Sequence, residues 1–134
     1  MEAIIGSSSE AVTKSIRVHA QSRYVSEQSN PKSHRYFFAY TIVISNEGPE
    51  PARLRSRHWI IRDARGEIDE VKGPGVVGDY PRLEEGESYE YTSFCVLATP
   101  TGTMKGSYQF TRPNGEEFDV AIAEFRLVIP AILN

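Results

Sequence analysis

The sequence predicts an all-β domain, a β-sandwich of the immunoglobulin or fibronectin type III kind with about seven strands. Three observations lead there. Apolar residues recur with period two, most clearly over Tyr36, Phe38, Tyr40, Ile42 and Ile44, the spacing that puts side chains on one face of a strand. Gly, Pro and Asn turn signals break the chain at short intervals. No long window repeats at the three-and-four spacing of an amphipathic helix, whereas a parallel α/β sheet needs helical crossovers.

Taken in order, residues 1–14 read as a flexible N-terminal leader, because Ser7, Ser8 and Ser9 sit in a stretch without a period. Residues 15–134 read as a single sandwich domain with no internal repeat. The strand from Tyr36 to Ser45 is apolar on both faces, so one face enters the core and the other is partly covered. Asn46 to Pro51, with two prolines, ends it. A second strand runs from about Leu54 to Asp63, turns at Ala64-Arg65-Gly66 and returns over Glu67 to Val71 as a hairpin. Gly73 to Pro81 reads as a loop, and Leu83 to Glu87 as a turn. Tyr89, Tyr91, Cys95 and Leu97 share one strand face, as do Met104, Tyr108 and Phe110 on the next. Pro113-Asn114-Gly115 is a hairpin turn, since Asn-Gly accepts positive φ. In the last strand the apolar positions change parity, from Phe118, Val120 and Ile122 to Phe125, Leu127 and Ile129. A one-residue slip would turn the pattern outward, so a bulge is expected near Ala123 and Glu124.

Composition narrows the function classes. The 134 residues include 40% hydrophobic and 25% charged residues, ordinary for a globular chain and against wholesale disorder. A domain of this size buries roughly two-thirds of its unfolded surface, so no disulfide or structural metal is required. The net charge of −3 argues against a nucleic-acid partner, which calls for a basic excess. Cys95 is the single cysteine and cannot form an internal disulfide. Met1 to Ser9 lacks the basic and apolar regions of a signal peptide, and no apolar run is long enough to span a membrane. The expectation is a cytoplasmic protein with no membrane partner.

No constellation demands a reaction. Gly73-Pro74-Gly75-Val76-Val77-Gly78 has the spacing of a dinucleotide-binding loop, but Pro81 and the turn at Gly86 leave no room for the helix that would hold the pyrophosphate. What survives is a candidate anion loop of Lys72, Gly73, Gly75, Gly78 and Arg82, set against a loop whose glycines supply unusual φ. Arg53, Arg55 and Arg57 alternate and in an extended chain share a face that could take a phosphate or an acidic partner; a solvated face is the plainer expectation. Trp59 continues that face, so either it is exposed beside the arginines or the strand enters the core and buries it; burial is favoured. His19, His34 and His58 lack metal-ligand spacing, and His58, alternating with Leu54 and Ile60, reads as a buried, hydrogen-bonded imidazole. Cys95 reads as an inert core thiol. No catalytic residue, metal ligand or cofactor is assigned.

Several of these segments together resemble a known family. Ser56-Arg57-His58-Trp59-Ile60-Ile61, Gly73 to Gly78, Tyr91-Thr92-Ser93, Gly102 to Tyr108, Phe118-Asp119-Val120 and Phe125-Arg126-Leu127 occur in the order found in the ApaG (CorD) family, over about residues 15 to 133. The resemblance implies a fibronectin type III-like sandwich in a bacterial protein, linked by family name to cobalt resistance and magnesium efflux. Similar domains in eukaryotic F-box proteins and in a polymerase-interacting protein imply protein recognition. The family's glycine motif, discussed there as a phosphate or nucleotide site, falls on Gly73, Gly75 and Gly78, while Arg53 and Arg55 stand outside the family pattern. The expected function is a non-catalytic binding or protein-interaction module with an unidentified protein partner. The alternative is a binder of pyrophosphate or nucleotide phosphates, a phosphate-containing small molecule, through the Gly73–Gly78 loop. A phosphoanhydride hydrolase is the remaining enzymatic option, and no metal or base can be nominated for it.

Overall fold

The computed structural model describes residues 7–130. The period-two runs pair into nine antiparallel strands: β1 (Ser8–Thr13), β2 (Ile16–Tyr24), β3 (Tyr36–Asn46), β4 (Ala52–Asp63), β5 (Ile68–Pro74), β6 (Arg82–Leu83), β7 (Ser88–Leu97), β8 (Thr101–Thr111) and β9 (Glu117–Val128). They form two sheets, one in the order β1-β2-β3-β7 and the other β5-β4-β8-β9, with β6 added to β4. The result is the sandwich expected, of the immunoglobulin or fibronectin type III kind, with more strands than the seven expected. No helix among the described residues is long and apolar enough to cross a membrane.

The two extra strands are β6 and β1. β6 is two residues long. β1 corrects the leader: residues 8–13 pair with β2 from Ser8↔Gln21 to Thr13↔Ile16, and the first six residues lie outside the described ones. The connecting turn uses Lys14 and Ser15 at φ 47° and 70°, a two-residue hairpin of the type that usually advertises itself with Asn or Gly. Ser9 Oγ donates to the Ala123 carbonyl (2.7 Å), the Ala121 N–H donates to Thr13 Oγ1 (3.1 Å), and Ser22 Oγ donates to the Arg126 carbonyl (2.6 Å). These bonds join β1 and β2 to β9, so one side of the sandwich is sealed.

The core fills from both sheets. Phe38, Ile42, Ile44, Leu54, Tyr108, Phe110, Phe125 and Leu127 are all buried. Trp59 is 2% exposed and meets Tyr40, Phe125 and Tyr108 edge-on at centroid distances of 5.2, 6.0 and 6.4 Å, a geometry favoured by the ring quadrupoles. The expected β9 bulge is present: Met104 pairs with Phe125 but Gly106 with Ile122, so Ala123 and Glu124 stand opposite one residue. The parity change in the sequence and the register shift are one feature.

β4 carries a second bulge that corrects the arginine ladder. Leu54 pairs with Phe110 but Ser56 with Gln109, which leaves Arg55 as the extra residue. The inner positions therefore pass from Ala52 and Leu54 to Arg57, Trp59 and Ile61, and the three arginines do not share a face. Trp59 is buried as favoured, and the conflict with its exposed-looking neighbours disappears. His58 falls on the outer face rather than among Leu54's core neighbours. Its side chain is 27% exposed and its Nε2 lies 2.6 Å from Glu70 Oε2.

The register brings β4 and β8 unusually close at Gly106. A Cβ there would sit 2.0 Å from the His58 carbonyl oxygen and 3.2 Å from Trp59 Cα, and backbone cannot move aside as a side chain can. Gly106→Ala is predicted to destabilise the domain by more than about 3 kcal/mol in urea unfolding. Gly66→Ala, at φ +85° with nothing within 4 Å of the new Cβ, should cost only about 1 kcal/mol. Similar costs at the two positions would contradict the close approach.

Candidate functional site

The glycine motif is split between a strand end and a tight turn. Gly73 and Pro74 belong to β5, so the irregular segment begins at Gly75 and not at Gly73. Val76 and Asp79 exchange two backbone hydrogen bonds, at 2.9 and 2.8 Å. Between them Val77 and Gly78 take φ 43° and 85°, the signature of a type I′ turn. No helix follows.

Each glycine has a local reason. Gly73 lies opposite Arg57, and a Cβ on it would meet the guanidinium at 2.9 to 3.0 Å. The missing side chain lets Arg57 lie across β5, where its Nη1 donates to the Pro74 and Gly75 carbonyls at 2.9 and 3.0 Å. Gly75 is at φ +58°, where a Cβ would press on the Asp79 carbonyl oxygen at 2.4 Å. Its own N–H donates to the Arg55 carbonyl (2.8 Å), so this donor is committed within the protein, as are those of Val76 and Asp79. An anion nest needs several free N–H groups converging on one point; here carbonyls of the segment converge on a cation.

The five loop candidates are not brought together as one site. Lys72 pairs with His58, and Lys72 and Gly73 alone of the five share a hollow, with Ser56, Arg57 and Asp119. Arg82 is in β6, opposite Arg53, and pairs with Glu84. Gly73 and Gly75 seat Arg57, and Gly78 forms the turn tip.

The remaining sequence candidates resolve simply. Cys95 is buried, and burial pushes its thiol up to about 12, far from the thiolate a nucleophile requires. Behind it Tyr91 and Tyr108 share a 2.5 Å hydroxyl–hydroxyl hydrogen bond; burial raises both hydroxyls. Tyr89 is pushed up to about 12 by burial and by its bond to Asp79 (2.7 Å). None of these groups is poised for proton transfer near neutrality.

What single-strand reasoning missed is the side of the sandwich opposite the β1–β9 seal. There β5 and β7 are the terminal strands of their sheets. Between them opens a slot of about 320 Å³, lined by Arg57, Trp59, Ile61, Val71, Cys95 and Met104 among others. Trp59 Nε1 is buried without a hydrogen-bond acceptor, the one such side-chain atom among the described residues. On the outer surface beside the slot, Phe94 is 56% and Val96 43% exposed, and Phe94 packs on Phe37 with centroids 5.2 Å apart. The signal in sequence was the apolar outer face of the Phe37 and Phe94 strands, which reads as partial coverage until the strand order is known.

The turn tip offers a test of the glycine assignment. Val77 is β-branched, 56% exposed and at φ 43°, a conformation that disfavours it by about 1 kcal/mol. Val77→Asn should raise the thermal midpoint by a few degrees, because Asn-Gly is the preferred type I′ pair. A lowered midpoint would contradict the turn type.

Comparisons with known proteins agree with the fold. A family profile described as the ApaG domain matches residues 26–112. The chain is 53% identical over 126 residues to Protein ApaG of Anaeromyxobacter sp. (strain K), covering 94% of this chain and 99% of that one. It is 50% identical over 122 residues to Protein ApaG of Methylobacterium sp. (strain 4-46), covering 91% and 94%. The crystal structure of an ApaA protein from Bordetella pertussis superposes with a TM-score of 0.85 at 50% identity, covering 87% of this chain and 95% of the other. The chain belongs to the ApaG domain family.

Proposed function

We propose that the domain is a non-catalytic protein-interaction module that takes an extended segment of a partner protein along the free edge of β7. The observation that carries this reading is the edge of a ten-residue strand, unpaired among the described residues, with Phe94 and Val96 exposed on it. An edge strand presents a row of unpaired N–H and C=O groups, and natural edges are usually blunted by charge, proline or a bulge. The stretch from Thr92 to Leu97 has none of these.

An added strand would draw main-chain hydrogen bonds from β7 and side-chain specificity from the pattern around it. Residues of the partner that point outward would meet Phe94, Val96 and Phe37. Those that point inward would enter the slot, where the indole N–H of Trp59 lacks an acceptor. A buried unpaired donor costs about 1–3 kcal/mol, so an entering carbonyl or hydroxyl gains what the free domain forgoes. On this reading the family's link to cobalt resistance and magnesium efflux runs through the partner. Anion binding at the Gly73–Gly78 turn has less support, since the Gly75, Val76 and Asp79 N–H groups are already bonded.

Selection from a random peptide library tests the reading, with the Phe94→Glu/Val96→Lys double variant as comparator. Both positions are exposed, so its unfolding free energy should stay within about 1 kcal/mol of the parent. Peptides of alternating apolar pattern should be recovered, shift the β7 amides and bind the variant at least roughly tenfold more weakly. Peptides that bind both proteins equally, or none recovered, would sink the proposal.

A further inference from the structure

We infer a second, separate binding site: a phosphate-class oxyanion held by Arg53, Arg55 and Arg82 where β4, β6 and the end of β8 meet. The bulge creates it. By setting Arg57 inward, it leaves Arg53 and Arg55 on the exterior, on either side of buried Leu54. β6 then brings in Arg82, and these three side chains line one hollow of about 220 Å³ with Thr111 and Arg112.

The charge arrangement is unfavourable without a ligand. Arg53 and Arg82 are direct cross-strand partners, a placement in which like charges repel. Arg55 adds a third cation beside them, in a chain whose net charge is −3. The carboxylates nearby leave two of the three arginines uncompensated. Arg82 pairs with Glu84, and Arg112 lies near Glu50 and Glu116 at 3.8 and 3.4 Å. Arg53 and Arg55 have no carboxylate within 4.0 Å among the described residues.

Their hydrogen bonds hold the guanidiniums in place without filling them. Arg53 Nη1 donates to the Tyr80 carbonyl at 2.9 Å, and Arg55 Nε donates to Thr111 Oγ1 at 2.9 Å. Each keeps further N–H donors, because a guanidinium carries five in a fixed fork. Arg112 is the rigid wall: its side chain is 7% exposed and donates to the carbonyls of Glu50 and Lys14, both at 3.1 Å. The forks of Arg53 and Arg55, pre-oriented, with spare donors and no carboxylate partner, match the oxygens of a phosphate group, which takes two N–H bonds from one arginine. Glu117, the cross-strand partner of Thr111, borders the adjoining hollow beyond Arg55 and favours a compact anion over an extended polyanion.

The site does not depend on the β7 edge, and it differs from the glycine turn in using Arg82 without Gly73, Gly75 or Gly78. Titration of the isotope-labelled full chain with inorganic phosphate and with pyrophosphate, at constant ionic strength, tests it. Saturable amide shifts are expected at Arg53, Arg55, Arg82 and Thr111, with affinity falling roughly tenfold for each guanidinium removed in Arg53→Gln and Arg55→Gln. Arg57→Gln serves as the comparator and should leave the affinity within about twofold. Pyrophosphate should also raise the thermal midpoint of the parent and not of Arg53→Gln/Arg55→Gln, by linkage of binding to folding. Shifts that do not saturate, shifts centred on Val76 to Asp79, or affinity unchanged in the double variant would overturn the assignment.

Discussion

One inserted residue, Arg55, decides which way the middle of the larger sheet faces. Without a bulge, the alternation that buries Ala52 and Leu54 would carry Ser56, His58 and Ile60 inward and push Trp59 into solvent. With it, Arg57, Trp59 and Ile61 face the other sheet, and Trp59 becomes the aromatic centre against Tyr40, Tyr108 and Phe125. The same inversion aims Arg57 at the carbonyls of Pro74 and Gly75. It thereby requires a glycine at position 73 and ties the Val76–Asp79 turn to the strand beside it. The carbonyl of the inserted residue completes the arrangement by accepting from the Gly75 N–H.

That constraint also separates the two candidate surfaces. Arginines that look in sequence like one ladder belong to different environments: one in the sandwich, two outside with Arg82. The two lateral sides of the sandwich differ in a related way. Hydrogen bonds made by Ser9, Thr13 and Ser22 close the β1–β9 side, while on the other side the outer edges of β5 and β7 are unpaired among the described residues, with Phe94 and Val96 exposed beside them. A sandwich with one sealed and one open side is suited to receiving a strand where its own sheets stop.

Much of the fold was legible because its signals are local. The Tyr36 to Ile44 alternation, the Asn114-Gly115 hairpin and the parity change at Ala123 and Glu124 each state their geometry in neighbouring residues. β1 was missed because its turn is Lys14-Ser15, without glycine or asparagine, and its strand is polar and edge-like. The β4 bulge was missed for a different reason. Arg53, Arg55 and Arg57 continue the alternation unbroken, so only the burial of Trp59 hinted that parity had to change. The candidate site was less legible still. Glycine spacing suggested a phosphate loop, whereas the roles of Gly73 and Gly75 depend on a guanidinium and a carbonyl distant in sequence. The pairing of Arg53 with Arg82 depends on strand order, which no short motif encodes.

Deletion of Arg55 isolates the effect of the inserted residue. Removing the inserted residue should restore continuous alternation in which Ala52, Leu54, Arg57, Trp59 and Ile61 all still face inward. The expected product is a folded protein with cooperative urea unfolding and the blue-shifted emission of a buried Trp59, weakened by about 1 kcal/mol for the lost bond to Gly75. If Arg55 were an ordinary strand residue, the deletion would turn every later side chain to the opposite face. Red-shifted emission or loss of cooperative unfolding would therefore show that Arg55 is not an inserted residue.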